Sequence, residues 1–175
     1  EEYFFTFITN LEKFKVCLVN ENADDKANKV YENVKSLLEY RNEAVILFSA
    51  ISQYSPSSTM IKRIHSFFDR LVVFLFPSGE GRYTDWDFDN FKFLSRELYL
   101  CMIAAFIKQE RFQEINHILT SNYFIKNSSI TYKGVLCDHS VFSWHLPSLG
   151  HKNKSQNLGR TSLPATMLKE RAGAA

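Results

Sequence analysis

Arg41 and Glu97 are the charged residues whose positions point most directly to a specific interaction. Arg41 falls inside a stripe of apolar residues at helical spacing, where an apolar side chain is expected. A buried charge is costly unless it is paired and hydrogen-bonded, and Glu97 and Asp89, both in a later helical pattern, are its candidate partners. We expect a structural ion pair, or an arginine whose stem packs while its head reaches water. The alternative is an anion or phosphate site built on Arg41.

Arg111 and His117 form a second candidate pair, six positions apart near the start of a short helical pattern. In an all-helical chain this arrangement resembles the Arg-to-His motif of HEPN-type ribonucleases. The resemblance implies that His117 would act as general acid or base on a ribose hydroxyl, while Arg111 would stabilise phosphate charge without a metal. The alternative is an amphipathic helix whose polar face carries both residues.

Cys137, His139 and His145 are residues that can ligate a metal, and zinc accepts both cysteine and histidine. Their spacing matches no structural zinc pattern, and no second cysteine lies nearby. We therefore expect a loop whose histidines face solvent, with a three-ligand metal site as the alternative. The sequence predicts no cofactor, since it contains no glycine-rich phosphate loop or nucleophile elbow.

Charge divides the chain into two parts. Residues 1–125 contain 14 basic and 17 acidic residues, whereas residues 126–175 contain 7 basic and 2 acidic residues. The basic residues of the second part could contact nucleic acid, but recognition surfaces normally concentrate charge on one face, and these residues are scattered. We therefore favour a solvated extension or one that packs on a partner. Its basic residues are Lys126, Lys133, Lys152, Lys154, Arg160, Lys169 and Arg171.

The elements that must position these residues are helices. Apolar residues recur at spacings of three and four in five segments, at residues 3–19, 25–53, 58–76, 84–108 and 110–120. The predicted fold is mainly α, with a single bundle of about five helices over residues 1–125. Residues 126–175 are predicted to be a basic extension with little regular structure, apart from a short helix over 165–171, and to pack on the bundle or on a partner.

Phenylalanine is concentrated in the predicted bundle, where fifteen of the sixteen phenylalanines lie between Phe4 and Phe124. Most of them fall on periodic faces, so we interpret them as core rather than as a base-stacking surface. Phe5, Phe76 and Phe93 fall off the main stripes. These three are the first candidates for a partner surface if they are exposed together.

The function that this pattern favours is binding rather than catalysis: a helical protein-interaction or oligomerisation module, whose partner is another protein or a second copy. No membrane span is expected, because the longest strictly apolar run, 98–107, has ten residues and a span needs about 20. Three widely spaced cysteines suggest a reducing compartment, and we expect the cytoplasm. The chain opens on Glu1 without an initiator methionine, so we expect part of a larger protein, with a composition that suits a bacterial source.

Overall fold

The computed structural model describes residues 2–77, 81–126 and 134–173, and these residues form eight α-helices and a two-stranded sheet. The mainly α class is confirmed, but the expected helix number of about five is wrong. The strands β1 (Tyr123–Ile125) and β2 (Val135–Cys137) pair antiparallel. The helices are α1 (Glu2–Leu11), α2 (Ala23–Ser36), α3 (Leu38–Gln53), α4 (Ser58–Val72), α5 (Asp89–Lys108), α6 (Phe112–Thr120), α7 (Pro147–Ser155) and α8 (Leu163–Ala172).

Polar side chains fix where several helices begin. The Asn22 side chain accepts a hydrogen bond from the backbone N–H of Asp25 at 2.9 Å, and so caps α2. Ser57 caps α4 by accepting from the N–H of Met60 at 3.2 Å. Before α5, Thr84 and Asp87 satisfy each other in a reciprocal cap around a short 3-10 turn, Asp85–Phe88.

The segment expected as one long helix over 25–53 is two helices that meet at Leu37. Leu37 has φ −79° and ψ 0°, outside the helical range, although it is neither glycine nor proline. The apolar stripe continues across the break through Val34, Leu37 and Ala44, all of them buried. Periodicity alone therefore could not reveal the break, which lets α2 and α3 face different parts of the core.

The larger core cluster lies between α1, α3, α4, α5 and α6. Its centre is aromatic: Phe67 on α4 lies 4.8 Å from Phe4 and 5.2 Å from Phe68, ring centre to ring centre. Phe142, from a short 3-10 turn after β2, stacks on Tyr99 of α5 at 4.5 Å. Such ring pairs add stability beyond their buried area. The phenylalanine-rich segments therefore build the body of the molecule.

A second core cluster joins α2 and α5 to the two last helices. Leu149 of α7 and Met167 of α8 are buried against Val30 of α2 and Phe93 of α5. The expectation that residues 126–175 hold little regular structure is thus not what the structure has: α7 and α8 are regular, and α7 packs along α2. Among the described residues, no helix is long and apolar enough to cross a membrane.

Candidate functional site

A buried ion-pair triad joins three elements that are far apart in sequence. Glu97 of α5 accepts two hydrogen bonds from Nε of Arg171 on α8, at 2.8 and 3.0 Å. Arg41 of α3 places its own Nε 3.1 Å from Oε1 of the same carboxylate. Arg171 also donates to the backbone carbonyl of Val34 at 3.0 Å and lies 5.5 Å from the ring centre of Phe93.

The triad is closed to solvent. The side chains of Arg41 and Glu97 are 2% and 1% exposed, and that of Arg171 is 8% exposed. The remaining donors of Arg41 reach the Asn42 side-chain oxygen at 2.9 Å and Cys101 Sγ at 3.5 Å. A dissolved anion would have to displace Glu97 to reach either guanidinium. The geometry therefore suits a structural link between α3, α5 and α8 rather than an anion site.

Asp89, the other partner considered for Arg41, lies at the first residue of α5 and contacts α7 instead. Its Oδ2 accepts hydrogen bonds from the backbone N–H and the hydroxyl of Ser148, at 3.0 and 2.6 Å. Burial raises the pKa of Asp89 above its ordinary value, against the opposing effect of those hydrogen bonds and of Lys92. Asp89 and Ser148 thus fix the start of α7 on the start of α5.

Arg111 and His117 make different contacts in the structure. Arg111 donates from Nε to the backbone carbonyl of Ser52 at 3.1 Å and from its terminal nitrogen to that of Gln53 at 3.5 Å. It therefore caps the C-terminal end of α3. His117 is exposed and lines a shallow groove with Lys62 of α4. The guanidinium that the ribonuclease resemblance would assign to phosphate is already occupied by α3.

Cys137, His139 and His145 are not assembled into a metal-binding arrangement. Cys137 ends β2, His139 Nδ1 lies 3.2 Å from the carbonyl oxygen of Leu119, and His145 is exposed. Within residues 2–77, 81–126 and 134–173, no group of three or more histidine, cysteine or acidic residues could hold a metal ion.

The basic residues of the second part of the chain do not all lie at the surface. Lys152 is buried on α7, where it donates to the Asn28 side-chain oxygen at 2.6 Å and lies 4.5 Å from the ring centre of Tyr31. Arg171 belongs to the triad. Lys126, Lys154, Arg160 and Lys169 are exposed on separate elements, and Lys133 lies outside the described residues.

The three phenylalanines considered as a partner surface are not exposed together. Phe93 is 1% exposed in the second core cluster, so its assignment to a surface is wrong. Phe76 is half-buried, with its ring 5.5 Å from that of Trp144. Only Phe5, at 60% exposure on α1, faces solvent among the three.

Helix α5 carries an uncovered apolar face that was not predicted from the sequence. Phe93 and Glu97 lie on the same helix face as Leu100, Ala104 and Ile107, because the spacings between them are four and three residues. Contacts from α8 cover the first two residues. Leu100 and Ile107 are 50% and 52% exposed, and Ala104 is exposed as well. We call Leu100, Ala104 and Ile107 the α5 strip.

One signal could have identified this strip from sequence. Residues 98–107 are apolar on every side of the helix, whereas a helix on the surface of a bundle is usually polar on its outer face. Such a segment is either buried all round or carries an apolar outer face, and the structure shows the second case. Comparison of the chain with known protein families, curated proteins and solved structures finds no match.

Proposed function

We propose that this chain is a helical interaction module that associates with a second copy of itself through the α5 strip. The observation that carries the proposal is the half-covered face of α5. Its first half is buried by the chain's own helix α8, and the same face continues without a cover through Leu100, Ala104 and Ile107. Apolar residues that continue a packed face into solvent are typical of an interaction surface.

The order of side chains on the strip favours a second copy as the partner. A small residue, Ala104, lies between two large ones, Leu100 and Ile107. When two such helices cross antiparallel about a two-fold axis at Ala104, Leu100 of each copy faces Ile107 of the other. The small central residue allows the helix axes to approach closely, and the patch is complementary to itself, as a two-fold interface requires.

The surroundings of the strip fit the same partner. No charged residue occurs between Leu98 and Ile107, so two copies meet without like-charge repulsion across the strip.

The test is sedimentation equilibrium of the purified chain over a range of concentrations. Because the strip is small for an interface, we expect a reversible dimer with a dissociation constant on the order of micromolar. Ala104→Glu places a charge at the centre of the contact and should leave a monomer at all concentrations. Ala165→Glu is the matched control, since it makes the same change at an exposed residue of α8.

Circular dichroism and the midpoint of urea unfolding establish that both variants are folded. A wild-type chain that stays monomeric up to the highest concentration contradicts the proposal, as does an Ala104→Glu variant that dimerises like the control.

We also propose an intracellular setting for this chain, in the cytoplasm of a bacterium. The three cysteines, all of them unpaired, and the composition of the chain support this setting.

The alternative, a metal-independent ribonuclease that uses Arg111 and His117, has less support. Its phosphate-binding arginine is engaged by the carbonyls of Ser52 and Gln53, and its histidine lies in a groove with α4 residues.

A further inference from the structure

A cleft lined by aromatic side chains opens between α1, the end of α4 and the start of α5. Its volume is about 570 Å³, within the range of roughly 300–1,000 Å³ that small-molecule sites occupy. Its walls are mainly apolar, with Ile8, Val16, Val73, Phe74, Phe88 and Phe91 among its lining residues. We call it the aromatic cleft.

The walls of the aromatic cleft are firmly built. Phe91 is 1% exposed and Phe74 is 7% exposed, and their rings lie 5.1 Å apart. The cleft therefore ends on two packed rings of the core. An apolar ligand body can bury its surface there without opening the fold.

Of the charged residues that line the cleft, Glu12, Lys15 and Asp87 have partners within the protein. Lys15 is paired with Glu12 at 2.6 Å, and its ammonium lies 5.3 Å from the ring centre of Phe74. Asp87 is buried and accepts hydrogen bonds from the backbone N–H of Leu18 at 3.1 Å and from Thr84 at 2.8 Å. Both acids that line the cleft thus have partners.

Arg70 is the cation that remains. It lies on the last turn of α4, is exposed, and lines both the cleft and a smaller adjoining pocket. Within the part of the chain that the structure describes, no residue gives Arg70 a hydrogen bond or an ion pair. A guanidinium in this position can bind a carboxylate with two parallel hydrogen bonds.

We propose that the aromatic cleft binds an alkyl carboxylate, with its chain among the phenylalanines and its carboxylate on Arg70. An uncharged or cationic amphiphile would leave Arg70 without a partner, whereas a carboxylate accepts hydrogen bonds from its guanidinium group. This site lies apart from the α5 strip, so it neither requires the proposed dimer nor tests it.

The experiment is a calorimetric titration of the full chain with decanoate, below its micelle concentration, and with decyltrimethylammonium as the cation of equal chain length. We expect saturable binding of decanoate and much weaker binding of the cation. Arg70→Gln should weaken decanoate binding about tenfold, as the loss of a charged hydrogen-bonding partner implies. Lys62→Gln, at an exposed residue of the same helix, is the matched control and should bind like wild type.

Amide chemical shifts provide a second readout that needs no variant. Decanoate should perturb the backbone amides of Ile8, Val16 and Val73 and leave those of the α5 strip unchanged. The proposal is overturned if decanoate fails to bind, if the two amphiphiles bind equally, if Arg70→Gln binds like Lys62→Gln, or if the perturbed amides lie elsewhere.

Discussion

The single carboxylate of Glu97 forms ion pairs with two guanidinium groups in a region almost without solvent. Arg41 and Arg171 both depend on it for charge compensation, with nitrogen–oxygen distances of 3.1 Å and 2.8 Å. The apolar stripe around Arg41 made that residue and its candidate partner recognisable in the sequence. Arg171 could not be recognised, because its sequence neighbours look like those of any exposed basic residue, and only the packing of α8 brings it to Glu97.

Replacing Glu97 by glutamine should be strongly destabilising. The substitution keeps the shape of the side chain but leaves two buried guanidinium groups without a negative partner, and breaking a buried pair in this way costs about 3–5 kcal/mol. Urea unfolding measures the change. Glu39→Gln, at an exposed residue of α3, should alter the free energy of unfolding by less than about 0.5 kcal/mol. Equal effects of the two substitutions would show that the triad does not stabilise the fold.

The buried carboxyl group of Asp89 should make the free energy of unfolding depend on pH. Because burial raises its pKa in the folded state, the folded chain holds the proton more tightly than the unfolded chain does. The stability that Asp89 contributes is therefore complete below its ordinary pKa of 3.8 and is lost as the pH rises through the raised value. Asp89→Asn removes this titration and still offers an oxygen to Ser148.

The measurement for Asp89 is urea unfolding of wild type and Asp89→Asn at pH 3 to 7. Wild type should lose stability relative to the variant as the pH rises. Asp85→Asn, exposed in the preceding turn, should follow wild type at every pH. A difference between wild type and Asp89→Asn that stays constant with pH, or that grows in favour of wild type at higher pH, would contradict the assignment.

At the scale of elements, periodicity located the helices of the bundle but not the helix α7. This helix begins at Pro147, which suits the first turn, and buries chiefly Leu149 and Lys152. Lysine does not normally indicate a buried face, and here Asn28 and Tyr31 of α2 supply its partners. Side chains of another element thus make this face buried, so the local sequence could not predict it.

Arg111 links α3 to α6, and this structural role can be tested separately from the ribonuclease alternative. Arg111→Ala removes two hydrogen bonds to carbonyls at the end of α3 and should destabilise the chain by about 1–2 kcal/mol. His117→Ala, at an exposed residue, should leave the urea midpoint unchanged.

The same two variants, incubated with RNA and a metal chelator, test the alternative function. We expect wild type and both variants to leave the RNA intact. Metal-free cleavage by wild type that His117→Ala abolishes, with an unchanged circular dichroism spectrum, would favour the ribonuclease instead.

The whole molecule is organised around α5, which packs on α2, α3, α4 and α6 and carries residues of both core clusters. The concentration of phenylalanine before residue 125 correctly indicated where the larger cluster lies. It could not indicate the second cluster, in which half of the eight buried members are Leu146, Leu149, Leu163 and Met167. These apolar residues are too few and too widely spaced to reveal a packed face in the sequence.

The proposed self-association rests on α5, a helix at the centre of the molecule that still exposes half of one apolar face. Disulfide trapping tests it most directly, because a two-fold axis at Ala104 brings that residue of both copies together. In a Cys17→Ser background, which removes the exposed native thiol, Ala104→Cys should form covalent dimers under mild oxidation. Ser66→Cys, exposed on α4, should react no faster than the background. If Ala104→Cys cross-links no faster than Ser66→Cys, the α5 strip is not the interface and the proposed self-association is contradicted.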